Sequence, residues 1–233
     1  MRYLVTSDLH LGDQFSRSRQ FTTLVQCMNS SITLILAGDI IDAPGRSLSK
    51  NELAALDALR ERASQEQVIW IEGNHDEGYR PELSGNIKFV KSYAIGKRLF
   101  ICHGDVFDTV MPRSRWFIKI FRFFHKLRML IGADPVHVAD YAKKFQTLYN
   151  YLRKKVLLCA VEQGHEQNFE AVACGHVHFA EDILYEGIRY INLGAWTESP
   201  CHCLLVDEEK MKLTTVVDAM QDSTWFTAES NSS

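Results

Sequence analysis

Five short polar clusters recur along this sequence, four of them after an apolar, β-branched run and the fifth after Ala171-Val172-Ala173. The apolar runs cover residues 3–5, 32–36, 68–71, 99–102 and 171–173. Runs of this length and composition are typical of buried strands in a layered α/β fold. Because binding sites in open α/β sheets form just beyond the strand ends, the pattern predicts that all five clusters meet at one edge.

The polar clusters contain side chains that bind metal ions. They are Asp8-Leu9-His10, Gly38-Asp39-Ile40-Ile41-Asp42, Gly73-Asn74-His75-Asp76, His103-Gly104-Asp105 and Gly175-His176-Val177-His178. Two divalent ions held about 3.5–4 Å apart need a bridging carboxylate and several further ligands each. Asp39, at the end of the second predicted strand, is the natural bridge, and Asp8 and His10 can chelate one ion together. The mixed nitrogen and oxygen set favours Mn, Fe, Zn or Co over Mg or Ca.

The remaining cluster residues predict a reaction at phosphorus. A pair of ions lowers the pKa of a bound water and neutralises a phosphate, so hydroxide attack on phosphorus follows. Asn74 can offer an amide oxygen to one ion, and His75 beside it can contact the phosphate or protonate the leaving group. Asp42 or Asp76 would hydrogen-bond to an imidazole and so orient it, without binding an ion itself. We therefore predict Asp39, Asn74 and His75 as the catalytic residues.

Length and composition indicate one large domain, or one domain with an insertion. The chain has 233 residues, a formal net charge of −3 and six scattered cysteines without a paired framework, which fits a reducing compartment. The sequence has no apolar run long enough to predict a transmembrane helix. The first predicted strand begins at Arg2, so a cleavable signal would remove part of the site. We therefore predict a cytoplasmic protein, with peripheral contact to a membrane left open.

Residues 106–168 differ from the rest and are predicted to be a helical insert in a domain of residues 1–220. They hold 11 Lys or Arg against 5 Asp or Glu, so the insert is basic in an otherwise acidic chain. One helix is predicted at about 114–131, and a second from Asp134-Pro135 to about residue 163. The first helix would carry one basic stripe between aromatic and aliphatic side chains. The stripe consists of Arg115, Lys119, Arg122 and Lys126.

That first helix has two interpretations. Its composition is typical of a helix that lies in a membrane interface or covers an apolar ligand. It would equally suit a helix that packs on the parent domain with its basic side chains extended to water. The position of the insert between two ligand clusters favours a functional role, with Arg122, Lys126 and Lys144 as candidate substrate contacts.

Several further elements follow from local signals. A helix is predicted at 48–66, where Ser49 and Glu52 form a capping box. Strands are predicted at 188–193, 203–206 and 212–217, and a polar, frayed tail from residue 221 to 233. Trp196 lies in a loop after one of these strands, where it would line the site or plug the core, and we slightly favour the site.

Taken together, the five motifs resemble those of the calcineurin-like metallophosphoesterases. The resemblance runs from residue 5 to about residue 200, with every motif present and in order. It implies a four-layer α/β/β/α sandwich and His75 as the catalytic histidine. It also implies two ligand sets that share one aspartate. The first ion would be held by Asp8, His10, Asp39 and His178, and the second by Asp39, Asn74, His103 and His176.

A narrower resemblance concerns the UDP-2,3-diacylglucosamine hydrolases of lipid A synthesis. It rests on Ser7-Asp8-Leu9-His10-Leu11-Gly12, on His103-Gly104-Asp105 with Asp108 soon after, on the basic-aromatic insert, and on residues 192–198, Asn-Leu-Gly-Ala-Trp-Thr-Glu. It implies cleavage of a nucleotide-lipid pyrophosphate at the cytoplasmic face of the inner membrane, with two ions, Mn²⁺ favoured, and helices that hold acyl chains. One departure is His75, where the best-known branch of that group has arginine.

Two other functions remain open at this point. A nuclease of the same superfamily would bind a phosphate backbone through the basic insert and stack bases on Phe and Trp. The Ile, Leu and Met residues mixed among those aromatics suit acyl chains better, and so make nucleic acid the weaker prediction. A non-catalytic scaffold would keep the fold and bind a partner or membrane, but scaffolds on this fold tend to lose ligands and none is missing here.

Overall fold

The computed structural model describes residues 1–82, 85–108 and 146–227, which form two mixed β-sheets flanked by helices. The first sheet has the strand order β11-β10-β1-β2-β3-β4, and the second has the order β5-β6-β7-β9-β8. The strands are β1 Arg2–Thr6, β2 Ile32–Ala37, β3 Val68–Ile71, β4 Ile87–Val90, β5 Ser92–Ile95, β6 Leu99–Cys102, β7 Ala171–Cys174, β8 Glu181–Tyr185, β9 Ile188–Asn192, β10 His202–Val206 and β11 Met211–Thr215. The helices are α1 Ser18–Cys27, α2 Lys50–Gln65, α3 Gln146–Gln167 and the single turn α4 Val216–Ala219.

The described residues stack into four layers. Helices α1 and α2 pack on the outer face of the first sheet through a core that includes Phe21, Leu24 and Leu59. The two sheets face one another across a second core, and α3 covers the outer face of the second sheet. Burial of apolar area on both faces explains why the central strands are almost wholly apolar. The predicted α/β/β/α sandwich is confirmed.

Parallel strands bring the five polar clusters to one edge. Strands β1, β2 and β3 run parallel in the first sheet, and β6, β7 and β9 run parallel in the second. The loops after these strands are joined by backbone hydrogen bonds, such as His10 N–H to the Asp39 carbonyl at 3.0 Å and Gly175 N–H to the His103 carbonyl at 2.8 Å. The predicted strands at 68–71 and 99–102 are confirmed with the same bounds.

The capping box predicted at the start of α2 is present and also holds the first ligand loop. The Glu52 carboxylate accepts the backbone N–H of Ser49 at 2.7 Å, as the capping box requires. Its other oxygen accepts the backbone N–H of Gly12 at 2.6 Å. One glutamate therefore caps the start of the helix and fixes the chain two residues after His10.

Helix α3, whose residues the sequence placed within the insert at 106–168, packs on the second sheet of the sandwich. Val156, Ala160 and Val161 are buried against the second sheet. The apolar face of the helix explains this packing, since it covers the outer surface of β7 and β9. The predicted first insert helix at 114–131 and the start of the second at 134–135 lie outside the described residues. No helix among the described residues is long and apolar enough to cross a membrane.

The end of the chain corrects two further predictions. Strand β11 stops at Thr215, whose hydroxyl accepts the N–H of Asp218 and begins α4, so 216–217 are helical rather than extended. The tail predicted to fray from residue 221 instead packs as far as residue 227. Trp225 and Phe226 are 1% and 2% exposed and join the core under α1. Burial of two large aromatic side chains outweighs the polar composition of this segment.

The buried tail gives a stability prediction. We expect Trp225→Ala to lower the free energy of unfolding by about 3–5 kcal/mol, because it removes a fully buried indole and leaves a cavity. Urea unfolding of the full chain measures the change, with Leu184→Ala as the control, since Leu184 is 75% exposed. A loss below about 1 kcal/mol, no larger than that of a surface substitution, would contradict the described packing of this segment.

Candidate metal centre

Five of the predicted metal ligands sit on left-handed backbone. Their φ angles are +53° at Asp8, +47° at His10, +54° at Asp39, +68° at His176 and +52° at His178. Residues with a Cβ seldom adopt this region, and such strain persists where the surrounding structure holds it for a function. The left-handed turns aim the side chains off the strand ends and into a single space between the two sheets.

Glycines within the motifs let the backbone approach the ligand carboxylates. A Cβ on Gly175 would lie 1.9 Å from Oδ2 of Asp8, and a Cβ on Gly73 would lie 2.2 Å from Oδ1 of Asp39. Both distances are far inside van der Waals contact, so a side chain at either position would displace a predicted ligand. Gly175 and Gly73 are therefore needed for space beside the metal ligands.

The first predicted ligand set converges in the structure. Nε2 of His178 lies 3.1 Å from Oδ1 of Asp8 and 3.1 Å from Nε2 of His10. Nε2 of His10 also lies 3.8 Å from Oδ1 of Asp8 and 3.9 Å from Oδ2 of Asp39. Asp8, His10 and His178 are all buried, and each offers one ligand atom within 4.8 Å of the others.

The second set meets the first at Asp39. Nε2 of His103 lies 3.2 Å from Oδ2 of Asp39 and 3.2 Å from Oδ1 of Asn74. Oδ2 of Asp39 therefore faces both His10 and His103, as an atom shared between two ions would. The other oxygen of Asp39 accepts the backbone N–H of His75 at 2.9 Å, which fixes the carboxylate in this orientation.

His176 is held differently from the other predicted ligands. Its ring packs edge-on against His103, with centroids 5.3 Å apart, and its Nε2 lies 3.0 Å from Oδ2 of Asp108. Nδ1 is then the nitrogen that remains for an ion. A carboxylate behind a metal-binding imidazole fixes its tautomer and raises its basicity. The sequence left the role of Asp108 undecided, and the structure shows that it contacts His176.

This contact predicts a specific effect on metal affinity. We expect Asp108→Asn to weaken Mn²⁺ binding by about 10–100-fold, because the amide is a poorer partner for the imidazole of His176. Titration calorimetry of the apo protein with Mn²⁺ measures the change. Asp182→Asn is the control, since Asp182 pairs with Arg189 on the second sheet. Equal Mn²⁺ affinity in wild type and Asp108→Asn would show that Asp108 does not support the ligand.

His75 is oriented toward the shared carboxylate. Its Nδ1 lies 2.8 Å from the backbone carbonyl of Asp42, so this nitrogen carries a proton and donates it. Its Nε2 lies 3.9 Å from Oδ2 of Asp39, and the side chain is 29% exposed. The Asp42 carboxylate lies 3.6 Å from His75 Nδ1 and 3.4 Å from His10 Nδ1.

Asp76 joins two of the loops that carry predicted ligands. Its carboxylate accepts the backbone N–H of Ile40 at 2.8 Å and of Gly73 at 2.8 Å, together with the indole N–H of Trp70 at 3.3 Å. These contacts tie the loop after β2 to the loop after β3. Asp76 therefore holds together the loops that carry Asp39 and Asn74.

The electrostatics of the cluster favour cations. Burial alone would raise the pKa of Asp39, but the charge of His103 and a hydrogen bond to it lower that pKa to about 2. Burial alone would lower the pKa of His103, but the charge of Asp39 raises it to about 10. Hydrogen bonds to Asp42 and Asp8 likewise overcome burial and raise the pKa of His10 to about 10. The carboxylates thus stabilise positive charge, and bound metal ions would replace the imidazole protons.

These buried His and Asp clusters fit a pair of divalent ions. The donor atoms are carboxylate oxygens, an amide oxygen and imidazole nitrogens, which suit borderline first-row metals. His10 from the first sheet and His103 from the second both face Oδ2 of Asp39, and glycines leave room beside two of the carboxylates. The donor set contains no thiolate among the described residues, and Cys102 and Cys174 are buried within their strands.

Of the four predicted substrate contacts, Trp196 is the one that lies among the described residues. Trp196 is 1% exposed and packs edge-on against Phe21, so the prediction that it lines the site is wrong. Its indole donates to Thr6 Oγ1 at 2.6 Å, and its backbone N–H donates to the Asp8 carbonyl at 2.9 Å. Trp196 therefore supports the Asp8 loop from the core. The other predicted contacts, Arg122, Lys126 and Lys144, lie outside the described residues.

Comparison with known families gives one match. The model of the family described as calcineurin-like phosphoesterase matches residues 1–180. The matched stretch includes every predicted metal ligand and His75. No curated protein matches the chain significantly.

Several solved structures are similar to the chain at low sequence identity. YfcE, a phosphoesterase from E. coli, is 17% identical with a TM-score of 0.49, and 94% of each chain is covered. A novel archaeal phosphodiesterase is 15% identical with a TM-score of 0.42, covering 92% of this chain and 99% of its own. Vacuolar protein sorting 29 from Cryptosporidium parvum is 13% identical with a TM-score of 0.46, covering 91% and 95%.

Proposed function

The chain belongs to the calcineurin-like phosphoesterase family, and from that premise we propose that it is a two-metal hydrolase of the pyrophosphate bond in an amphiphilic nucleotide-lipid. The enzyme class, a metal-dependent phosphoesterase, follows from the family and the buried His/Asp clusters. The observation that carries the two-metal proposal is Oδ2 of Asp39, which faces His10 at 3.9 Å and His103 at 3.2 Å. A carboxylate shared between two ligand groups is the feature that a dimetal site needs.

We assign the predicted ligands to two ions, with Mn²⁺ as the favoured metal. The first ion would be held by Asp8, His10, Asp39 and His178, and the second by Asp39, Asn74, His103 and His176. When bound, the two ions supply positive charge for the phosphoryl oxygens and lower the pKa of a water molecule, which then attacks phosphorus.

Protein groups hold the reacting phosphate and its leaving group. His75 donates through Nδ1 to the Asp42 carbonyl, so its Nε2 is directed at the space beside Asp39. From there it would contact a phosphoryl oxygen or give a proton to the leaving oxygen. Burial of the ligand groups excludes bulk water, which strengthens each of these electrostatic interactions.

The substrate is proposed from the sequence around the site. The motifs resemble the UDP-2,3-diacylglucosamine hydrolases, and the predicted helix at 114–131 joins a basic stripe to aromatic and aliphatic residues. Such a helix suits a substrate with a polyanionic head and acyl chains. We therefore propose UDP-2,3-diacylglucosamine, cleaved to 2,3-diacylglucosamine 1-phosphate and UMP, or a related amphiphilic pyrophosphate.

This substrate also sets where the enzyme would act. The insert within residues 106–168 would bind the acyl chains, while the domain of residues 1–220 supplies the metal site. We propose that the protein works in the cytoplasm, at the cytoplasmic face of the inner membrane, through peripheral contact.

A paired assay tests the proposal. Hydrolysis of UDP-2,3-diacylglucosamine, followed as UMP release, is measured with Mn²⁺ beside hydrolysis of bis(p-nitrophenyl) phosphate. We expect turnover of both substrates by wild type and loss of both in His75→Ala, with the lipid favoured in kcat/KM.

Three other outcomes would change the conclusion. Hydrolysis of the small diester alone would keep the hydrolase and discard the lipid substrate. Salt-sensitive binding of single-stranded DNA together with its cleavage would replace the lipid by nucleic acid. No turnover and no bound metal would point to a non-catalytic scaffold.

A further inference from the structure

The loop that carries His176 and His178 is strained and in contact with helix α3. Both histidines have left-handed backbone, with φ of +68° and +52°, and Val177 between them donates its N–H to the Gly175 carbonyl at 2.8 Å. Two such residues within three positions cost free energy unless neighbouring groups hold them in place. The groups that hold this loop therefore bear directly on the positions of two predicted metal ligands.

Tyr149 of α3 contacts the loop midway between the two histidines. Its hydroxyl donates to the backbone carbonyl of Val177 at 2.7 Å. Its ring lies 6.4 Å from the ring of Phe179 at an angle of 67°. One helix residue thus binds the loop through a hydrogen bond at its centre and a ring contact at its end.

Arg153, one helical turn later, contacts the same loop from the same side of α3. Its guanidinium carbon lies 3.4 Å from the centre of the Phe179 ring, which is close stacking. Its Nη2 donates to Oε2 of Glu181 at 2.6 Å and its Nε to Oε1 at 3.4 Å. Glu181 begins β8, so Arg153 links the helix, the loop and the next strand.

Helix α3 is itself fixed to the second sheet. Val156 and Ala160 are buried at 1% and 0% exposure, and Gly164 allows Ile188 of β9 to approach closely. Tyr149 and Arg153 therefore project from a rigid support onto a strained loop, an arrangement that preorganises ligands before they bind.

We propose that Tyr149 and Arg153 are positioning residues for the metal centre, which clamp the Val177–Phe179 turn so that His176 and His178 stay directed at the ions. This inference rests on the proposed function, since it requires that the two histidines bind metal. The clamp acts through the loop backbone and through Phe179, and neither residue is assigned contact with substrate.

Two substitutions distinguish a role in positioning the metal ligands from a role in the stability of the fold. Tyr149→Phe removes only the hydroxyl that donates to Val177, and Arg153→Gln removes the stacked guanidinium and its paired donors. Arg189→Gln is the control, because Arg189 of β9 makes a similar two-contact pair with Asp182 of β8, at 2.8 and 2.7 Å, and also donates to the Met211 carbonyl at 2.8 Å.

The readouts are Mn²⁺ affinity by titration calorimetry and kcat for bis(p-nitrophenyl) phosphate at saturating Mn²⁺, measured on the full chain. We expect Tyr149→Phe and Arg153→Gln each to weaken Mn²⁺ binding by about tenfold, as is typical when a group supporting a ligand is removed. Saturating Mn²⁺ should restore kcat of Tyr149→Phe to within about threefold of wild type, since the catalytic groups are intact. Arg189→Gln should bind Mn²⁺ as wild type does.

Other results would overturn the clamp. If Tyr149→Phe and Arg153→Gln lower the melting temperature while Mn²⁺ affinity stays at the wild-type value, the two residues stabilise the fold and do not position ligands. If Arg189→Gln weakens Mn²⁺ binding as much as Arg153→Gln, the effect belongs to the sheet and not to the loop. If wild type itself binds no Mn²⁺, the proposed function fails and the clamp fails with it.

Discussion

Asp39→Asn is expected to lower kcat/KM for bis(p-nitrophenyl) phosphate by about 10³-fold, equivalent to about 4 kcal/mol of lost transition-state stabilisation. The substitution keeps the size of the side chain but removes the negative charge that faces both ligand groups. It should also reduce the number of Mn²⁺ ions bound per chain, because neither ion would keep its shared ligand. Steady-state assays at several Mn²⁺ concentrations measure the loss of activity, and titration calorimetry with Mn²⁺ measures the number of ions bound per chain.

Asp57→Asn is the matched control for this prediction. Asp57 lies on α2 and pairs with Arg60 at the surface, where its side chain is 66% exposed. Removing that charge should leave both activity and Mn²⁺ binding unchanged, since exposed pairs contribute little. If Asp39→Asn retained more than a tenth of wild-type activity, Asp39 would not be the shared ligand, even if the family assignment stood.

Gly175→Ala is expected to have the second large effect. The added Cβ would lie 1.9 Å from Oδ2 of Asp8 and 2.5 Å from Oγ of Ser7, so the Asp8 carboxylate must move. A displacement of about 1 Å at a catalytic group typically costs about 10²-fold in rate. We therefore expect about a hundredfold loss of kcat/KM together with weaker Mn²⁺ binding, measured in the same assays.

Gly85→Ala is the control for crowding alone. A Cβ there would lie 2.5 Å from the backbone carbonyl oxygen of Ala63 on α2, which belongs neither to the ligand loops nor to the clamp. We expect a loss of unfolding free energy of about 1–3 kcal/mol and unaltered kcat/KM. Wild-type metal binding in Gly175→Ala would show that Asp8 tolerates displacement and is not a ligand.

Much of the fold and the ligand clusters could be predicted because their signals are local. An apolar run of four residues such as 68–71 identifies a buried strand, and the polar residues that follow it must lie at the strand end. Parallel pairing then brings several such ends together, as the loops of Asp8, Asp39 and Asn74 show. The capping box at Ser49 and Glu52 is likewise complete within four residues.

The features that sequence reasoning missed depend on contacts between distant parts of the chain. Trp196 fills the core beside Phe21, although its motif suggested the site. Burial of the large indole stabilises the fold, and the position of Trp196 in a loop does not reveal this contribution. Trp225 and Phe226 pack under α1 for the same reason. Asp108 and His176 are separated by 68 positions in the sequence, so no local motif predicts that they are in contact. The left-handed backbone at the ligands also follows from the assembled site, since Asp and His tolerate this region but do not require it.

Anomalous diffraction from crystals grown with Mn²⁺ tests the central claim most directly. The account predicts two peaks about 3.5–4 Å apart, one on each side of Oδ2 of Asp39. The first peak should lie among Asp8, His10 and His178, and the second between His103 and Asn74. A single peak, or two peaks that share no contact with Asp39, would contradict a two-metal hydrolase built on this carboxylate.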